Sequence, residues 1–372
     1  MKRRLLVLAA ALALAAPALA ALPPVHGRAY VVENGSTGEV LARWHERRRV
    51  PIASLTKLMT VLLTLERARP DAVVTVAPGA ASVGESSIGL AAGQRITVRD
   101  LLEGALIQSA NDAADALAYY VGRGSMSRFV AMMNTRARQL RLADSHFVRP
   151  DGLDAAGHYS SARDITKLAR LVMRYKLVRE IVRRQTATIA SGRVLHTWND
   201  LLGSFRGVFG VKTGHTMAAG WNEVAAVRRP GLVVYATLLG APDRATRNTD
   251  LAGLLRWGLA RYKRVPVIRG DVVYARVTLG YGRGSVGLVA ASPVRKAVRI
   301  DRPLVERVVA KTAAPLPVLR GERLGRLQIW QGGHVIARSE LMAERSVSRP
   351  GALGRVGFYA GRTVKHMWGW LS

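Results

Sequence analysis

Pro51-Ile52-Ala53-Ser54-Leu55-Thr56-Lys57-Leu58-Met59-Thr60 contains the only S-x-x-K of the chain. A three-residue step along a helix puts Ser54 and Lys57 on one face. A serine hydroxyl is a weak nucleophile until a base takes its proton, and a lysine is such a base only where burial or a neighbouring cation lowers its pKa. The flanking residues fit a buried site. Ile52 and Ala53 precede the serine, and Leu58, Met59, Val61, Leu62, Leu63 and Leu65 follow it at the density of a core helix. Ser54 is then expected in the first helical turn, where free backbone N–H groups and the helix dipole can stabilise an oxyanion. The same spacing also describes a helix cap followed by a solvated lysine, so its meaning depends on what lies downstream.

Two downstream elements bear on it. Ser109-Ala110-Asn111 is an S-x-N between a helix that Asp100 is expected to cap, running through Ile107, and a second helix from about 113 to 121. A turn there can aim a hydroxyl and an amide in one direction, which suits a proton relay and a hydrogen bond to a substrate amide; both residues would also serve as plain caps. Lys212-Thr213-Gly214, the only K-T-G, lies in a β-patterned run with strands expected at 208–211, 221–227 and 232–239. Gly214 lets a ligand approach the backbone closely. Lys212 can add positive potential near Lys57 and attract a carboxylate, unless it is a solvated edge-strand lysine.

Composition limits the setting. The 372 residues suggest two domains, and 49% hydrophobic residues with 6% aromatic is an ordinary globular balance. The net charge of +31, from 56 Lys+Arg against 25 Asp+Glu, favours an acidic partner such as anionic lipid, nucleic acid or an acidic polymer. There is no cysteine, so disulfides and thiolate metal sites are excluded. His146, His158 and His196 form neither an H-E-x-x-H nor an i,i+4 pair beside a carboxylate. They are read as loop hydrogen-bonding residues, with no metal and no cofactor expected.

Lys2, Arg3 and Arg4, the apolar run 5–16, Pro17 and Ala18-Leu19-Ala20 have the pattern of a signal peptide cut after Ala20. The run is too short and too alanine-rich for a good membrane span. Export makes nucleic acid an unsuitable partner for the positive charge. A hairpin is expected from strands at 29–33 and 40–43 joined through Asn34-Gly35-Ser36-Thr37-Gly38. Short strands follow at 73–76 and 94–98, then helices at 127–142, 160–175 and 177–184.

The ordered trio S-x-x-K, S-x-N, K-T-G resembles the serine active site of penicillin-binding proteins and class A β-lactamases. The surroundings narrow this. The Pro51–Thr60 run, Ser-Ala-Asn-Asp-Ala-Ala from Ser109, the stretch 147–153 with His158-Tyr159-Ser160, and Val211-Lys212-Thr213-Gly214-His215-Thr216 are similar to the low-molecular-mass D-alanyl-D-alanine carboxypeptidases over about 29–257. The resemblance implies an α/β (α+β) domain, an antiparallel sheet flanked by helices, followed by a small all-β sandwich. It also implies acyl transfer on peptidoglycan stem peptides ending in D-Ala-D-Ala. Ser54 would be the nucleophile and Lys57 the general base, and Ser109 would relay a proton to the leaving amine. Asn111 would hold the substrate amide or orient Lys57. The Ser54 and His215 N–H groups would form the oxyanion hole, Lys212, Thr213 and Thr216 would receive the terminal carboxylate, and Gly214 would complete the substrate-binding strand. β-Lactams would acylate Ser54. Some relatives place an arginine before the Asn of the segment that here reads Trp198-Asn199-Asp200. Carboxylate recognition would then fall to Arg193, Arg206 or Arg247, which the sequence leaves open.

From 267 onward helical periodicity gives way to β-patterned runs at 271–277, 285–289, 297–300, 304–310, 324–331 and 334–339, similar to the carboxy-terminal β-domain of the same enzymes. The expected organisation is a signal peptide 1–20, a catalytic domain 21–263, a β-domain 264–345 acting as spacer or interaction module, and an amphipathic anchor helix 346–372. On that helix Val356, Tyr359, Ala360, Thr363, Val364, Met367, Trp368 and Leu371 share one face, with Arg355, Arg362 and Lys365 elsewhere. That pattern suits an anionic membrane surface on the periplasmic side of the inner membrane. Three other readings share part of this pattern. A D,D-endopeptidase would act on cross-links, a class A β-lactamase would need an E-x-x-L-N-like glutamate that is absent, and a non-catalytic cell-wall or membrane-binding protein would keep the fold with a poor pocket.

Overall fold

The computed structural model describes the backbone of residues 5–12 and 21–368 and the side chains of residues 21–360. The chain forms two compact units, the first of residues 20–260 and the second of the residues from 261 onward together with strand Leu5–Leu12.

The first unit is built on a five-stranded antiparallel sheet with the order Val40–Trp44, Ala29–Asn34, Leu232–Ala241, Gly220–Arg229, Val208–Thr216. The first two strands form the expected hairpin. Asn34 closes it by accepting the Ser36 and Thr37 N–H groups on its side-chain oxygen, and Gly38 takes φ of 76°. The central strands read as nearly continuous apolar runs because helices cover both faces, so 224–227 and 234–239 are buried throughout. Helix Lys57–Arg67 runs through the core. Its first eight residues are all buried, which accounts for apolar side chains all round it.

Helix starts follow their caps. Ser125 accepts the Arg128 N–H and Ser161 the Asp164 N–H. The expected cap Asp100 is displaced by three residues: Thr97 Oγ1 accepts the Asp100 N–H at 3.1 Å and donates to Asp100 Oδ2 at 2.8 Å. The helix therefore covers Val98–Glu103 and then widens into a π-turn, Gly104–Gln108, that delivers Ser109. Helix Asn111–Val121 starts two residues before the expected position.

The second unit is β-rich. Its seven-stranded sheet and the two-stranded sheet of Tyr262–Ile268 with Val294–Arg299 share one core, in which Ile268, Val277, Leu288, Val298, Leu327 and Leu341 are buried. Strand Tyr262–Ile268 is an addition to the expected set. Pro266 hides it in the sequence, and such a residue is tolerated here because the strand is an edge strand with one partner. Leu5–Leu12 of the apolar leader lies antiparallel to Leu304–Lys311 on this sheet. Lys2, Arg3, Arg4 and the Ala18-Leu19-Ala20 triplet lie outside the described residues. Helix Ala352–Trp368 follows the β-strands, with Phe358 and Tyr359 against Tyr281. Leu353, Val356 and Tyr359 are exposed, and Leu371 lies outside the described residues. Among the described residues no helix is long and apolar enough to cross a membrane.

Candidate active site

Ser54 sits in a single 3-10 turn, Ala53–Thr56, that leads into helix Lys57–Arg67. The backbone before it is strained, since Ala53 has φ of 49°. Gly152 is required next to it: with φ of 87°, a Cβ there would meet the Ala53 carbonyl oxygen at 2.1 Å. The turn is held from the far side by His158. Its Nδ1 accepts the Val148 N–H at 3.0 Å, so the ring proton lies on Nε2 and is donated to Thr56 Oγ1 at 2.7 Å. Burial pushes the His158 pKa down to about 4, keeping the ring neutral as this arrangement needs.

Lys57 is fully buried. Its Nζ lies 2.6 Å from Ser54 Oγ, 2.7 Å from Asn111 Oδ1 and 2.7 Å from the Asp151 carbonyl oxygen. Burial is the main reason its pKa falls to about 8; Asp151, Asp115 and Glu85 pull it upward, and Arg149 adds to the fall. The cation that adds to burial is thus Arg149 and not the expected Lys212. With one proton gone, the amine keeps two donors for Asn111 and Asp151 and turns its lone pair to the Ser54 hydroxyl.

Ser109 is aimed by its own backbone, which takes the left-handed conformation at φ of 64°. Lys212 donates to Ser109 Oγ at 2.7 Å and to the Thr213 carbonyl oxygen at 2.8 Å. Burial, and secondly the Lys57 charge, hold the Lys212 ammonium well below its usual range. Asn111 uses its amide N–H on the Gly84 carbonyl oxygen at 2.9 Å, so its side chain orients Lys57 and ties down the 84–90 loop. Asp112 completes that tie by accepting from Ser87 Oγ and from the Ile88 and Leu90 N–H groups.

These elements border a cleft of about 220 Å³ lined by Ser54, Glu85, Ser86, Ser109, Asn111, Trp198, Thr213, Gly214, His215, Trp221 and Arg247. Lys57 and Lys212 lie buried beside it. Thr216 does not line the cleft. Its hydroxyl donates to Asp154 Oδ1 at 2.8 Å and accepts the Ala219 N–H, which engages it in closing the turn after the strand. Of the three candidate arginines only Arg247 reaches the cleft; Arg193 lies against Gly89, and Arg206 is outside the lining. Trp198 forms a wall, donating from Nε1 to the Gln108 carbonyl oxygen at 3.0 Å, with the Arg244 guanidinium 5.4 Å above its ring.

Sequence reasoning missed Glu85, Ser86 and Trp221 as lining residues, and the Asp151 carbonyl as a partner of Lys57. None of these carries a motif. A signal was available for one further residue: Glu223 interrupts the apolar run 224–227 immediately before it, where a charge needs a reason to be buried.

The chain as a whole is similar to known proteins. Residues 16–243 match the peptidase S11 family, described as D-alanyl-D-alanine carboxypeptidase. The chain is 30% identical over 384 residues to D-alanyl-D-alanine carboxypeptidase DacD of Salmonella typhimurium, covering 96% of this chain and 98% of that protein. Among solved structures, penicillin-binding protein 5 of Haemophilus influenzae aligns with a TM-score of 0.64 and 25% identity over 89% of this chain and all of that one (100%). Penicillin-binding protein D2 of Listeria monocytogenes, in its ampicillin-bound form, aligns with a TM-score of 0.58 and 31% identity over 63% of this chain and 98% of that one.

Proposed function

The chain belongs to the D-alanyl-D-alanine carboxypeptidase family, peptidase S11, and on that premise we propose how its cleft divides the work. The protein is a serine-type D-Ala-D-Ala carboxypeptidase of peptidoglycan metabolism and binds β-lactams. The observation that carries the residue-level reading is the buried Lys57 amine in hydrogen-bond contact with Ser54 Oγ.

In this reading Lys57, as the free amine, takes the Ser54 proton while Oγ attacks the carbonyl of the penultimate D-Ala. The Ser54 and His215 N–H groups receive the oxyanion. The collapsing intermediate needs a proton on the leaving nitrogen, and Ser109 passes one on from the Lys212 and Lys57 side. Water then hydrolyses the acyl-enzyme. Asn111 keeps Lys57 in line, Thr213 and Gly214 present the strand edge to the substrate, and Arg247 receives the terminal carboxylate that Trp198 cannot. Thr216 supports this end indirectly, through Asp154.

The first 20 residues act as an export signal, placing the enzyme in the periplasm. The unit before Arg261 is catalytic, and the β-rich unit is a spacer or interaction module. The helix from Ala352 lies in an anionic membrane surface. Its exposed Leu353, Val356 and Tyr359, the basic residues of 345–365 and the absence of acids after Glu344 support that placement.

The test is D-alanine release from a stem pentapeptide compared with cleavage of a D,D-cross-linked muropeptide dimer. Faster release from the pentapeptide is expected. Preferential cleavage of the cross-link would instead make the protein an endopeptidase.

A further inference from the structure

Arg247 is 1% exposed yet lines the cleft. Its Nε lies 3.1 Å from Glu223 Oε2 and its Nη2 lies 3.1 Å from Asp200 Oδ2, while Asn248 Oδ1 accepts from both nitrogens. Nη1 makes no hydrogen bond among the described residues. The guanidinium thus has one edge committed to protein acceptors and one edge open for an anion.

Glu223 is the unusual member of this cluster. It is fully buried opposite Thr213 in the strand pairing, and neither carboxylate oxygen has a well-directed hydrogen bond, although Arg247 Nε is within ion-pair distance. A buried carboxylate held by charge alone is poorly compensated. The groups facing it are Arg247 and Arg244 from helix Arg244–Ala260, Lys212 from the neighbouring strand, and Asp200; His215 stands at the rim on Trp221, with ring centroids 4.1 Å apart. With Glu223 and Asp200 ionised, their charges cancel those of Arg247 and Arg244. With Glu223 protonated, the cluster regains a full positive charge beside the cleft.

We propose that Glu223 is a proton-linked positioning residue for Arg247, so that capture of the substrate's terminal carboxylate is coupled to proton uptake by Glu223. The inference rests on Arg247 as the receiver of that carboxylate. Three carboxylates, of which Asp200 is shared with Arg244, would otherwise crowd one buried guanidinium, and protonation of Glu223 relieves the conflict. By reciprocity, a bound carboxylate raises the proton affinity of Glu223, and a proton on Glu223 tightens carboxylate binding. Burial, with Asp200 adding to it, pushes the Glu223 pKa up to about 7 against the pull of Arg247, Lys212 and Arg244, so the exchange falls near neutral pH.

The experiment compares full-length wild type, Glu223→Gln, Glu223→Asp and Arg247→Gln on paired peptides ending in D-Ala-D-Ala as carboxylate or carboxamide. Measurements run between about pH 5.5 and about pH 8.5, on either side of the Glu223 value. While kcat climbs for both peptides alike with Lys57 deprotonation, wild-type KM for the carboxylate peptide rises up to about tenfold across this window, the effect of one pKa unit of coupling. The carboxamide peptide shows no such rise. Glu223→Gln holds KM at the low-pH wild-type value, and Glu223→Asp keeps a pH dependence. A Glu223→Gln profile with the wild-type slope overturns the proposal. If Arg247→Gln leaves the preference for carboxylate over carboxamide intact, the carboxylate reading of Arg247 falls, and this proposal with it. A measurement free of Glu223 variants guards against misfolding: calorimetric binding of the carboxylate peptide to Ser54→Ala in buffers of different ionisation heat. Proton uptake near pH 7 is expected, and zero uptake overturns the proposal.

Discussion

Gly214 brings the Val208–Thr216 strand so close to the nucleophile's turn that a Cβ at this position would stand 3.0 Å from the Ser54 amide nitrogen and 3.0 Å from the Ile52 carbonyl oxygen. The strand edge and the turn are therefore in near-contact through backbone, and the third position of K-T-G has to be glycine for steric rather than torsional reasons. Gly214→Ala should push the strand and Ser54 apart by a few tenths of an ångström. A shift of that size at a reacting atom is expected to lower acylation by benzylpenicillin by about 10- to 100-fold, with only about 1–3 kcal/mol lost in stability. Stopped-flow acylation together with thermal unfolding separates the two effects. Wild-type acylation by this variant would show that the approach is not tight.

Lys57 sets the pH at which Ser54 can react. The amine is the active form, and its pKa is held near 8 by burial. Acylation should therefore rise with pH and level off above about 8. Lys57→Ala should lose about 10²–10⁴-fold in the acylation rate, the usual contribution of a positioned base. A pH profile without a rising limb in this region would remove Lys57 from the role of base.

His158 should make the catalytic unit acid-sensitive. Its folded-state pKa of about 4 lies below the ordinary histidine value, so between the two the unfolded chain binds the extra proton. Stability is then fully present above about pH 6.5 and falls as pH drops toward 4, by a few kcal/mol at most. His158→Gln, which can still donate to Thr56, should flatten this part of the urea-midpoint profile. Retention of the full slope would assign the acid sensitivity to another group.

The helix from Ala352 should attach the protein to membranes. Sedimentation with vesicles containing about 30% phosphatidylglycerol should retain the full chain and lose it at high salt, where charge attraction is screened. A chain ending before Ala352 should stay in the supernatant. Equal binding by both would move the membrane contact to another basic surface.

The legible part of this protein was its chemistry-bearing local sequence. Ser54, Lys57, Ser109, Asn111 and Lys212 carry motif spacings, and hydrogen bonds bring them together in two sets, Ser54–Lys57–Asn111 and Ser109–Lys212. The sheet order was less legible, because Ala29–Asn34 pairs with Leu232–Ala241 across some 200 residues, and periodicity gives no information at that range. Local propensity also misplaced the Asp100 cap, where Thr97 offered an equally good oxygen one turn earlier. The acceptor end of the cleft was hidden for a different reason. Arg247 belongs to a helix with no motif, and its role depends on Glu223, Asp200 and Asn248, which converge only in three dimensions. Thr216 looked like a ligand group because of its place after K-T-G; Asp154, 62 residues away, takes its hydroxyl.

The central claim is that Ser54 becomes covalently acylated. Intact-protein mass spectrometry after incubation with benzylpenicillin tests it most directly, with Ser54→Ala alongside. The account predicts one adduct per chain with the full mass of the antibiotic, because opening the β-lactam ring expels no fragment, and no adduct on Ser54→Ala. A folded wild-type chain without the adduct, or an adduct that persists on Ser54→Ala, would contradict it.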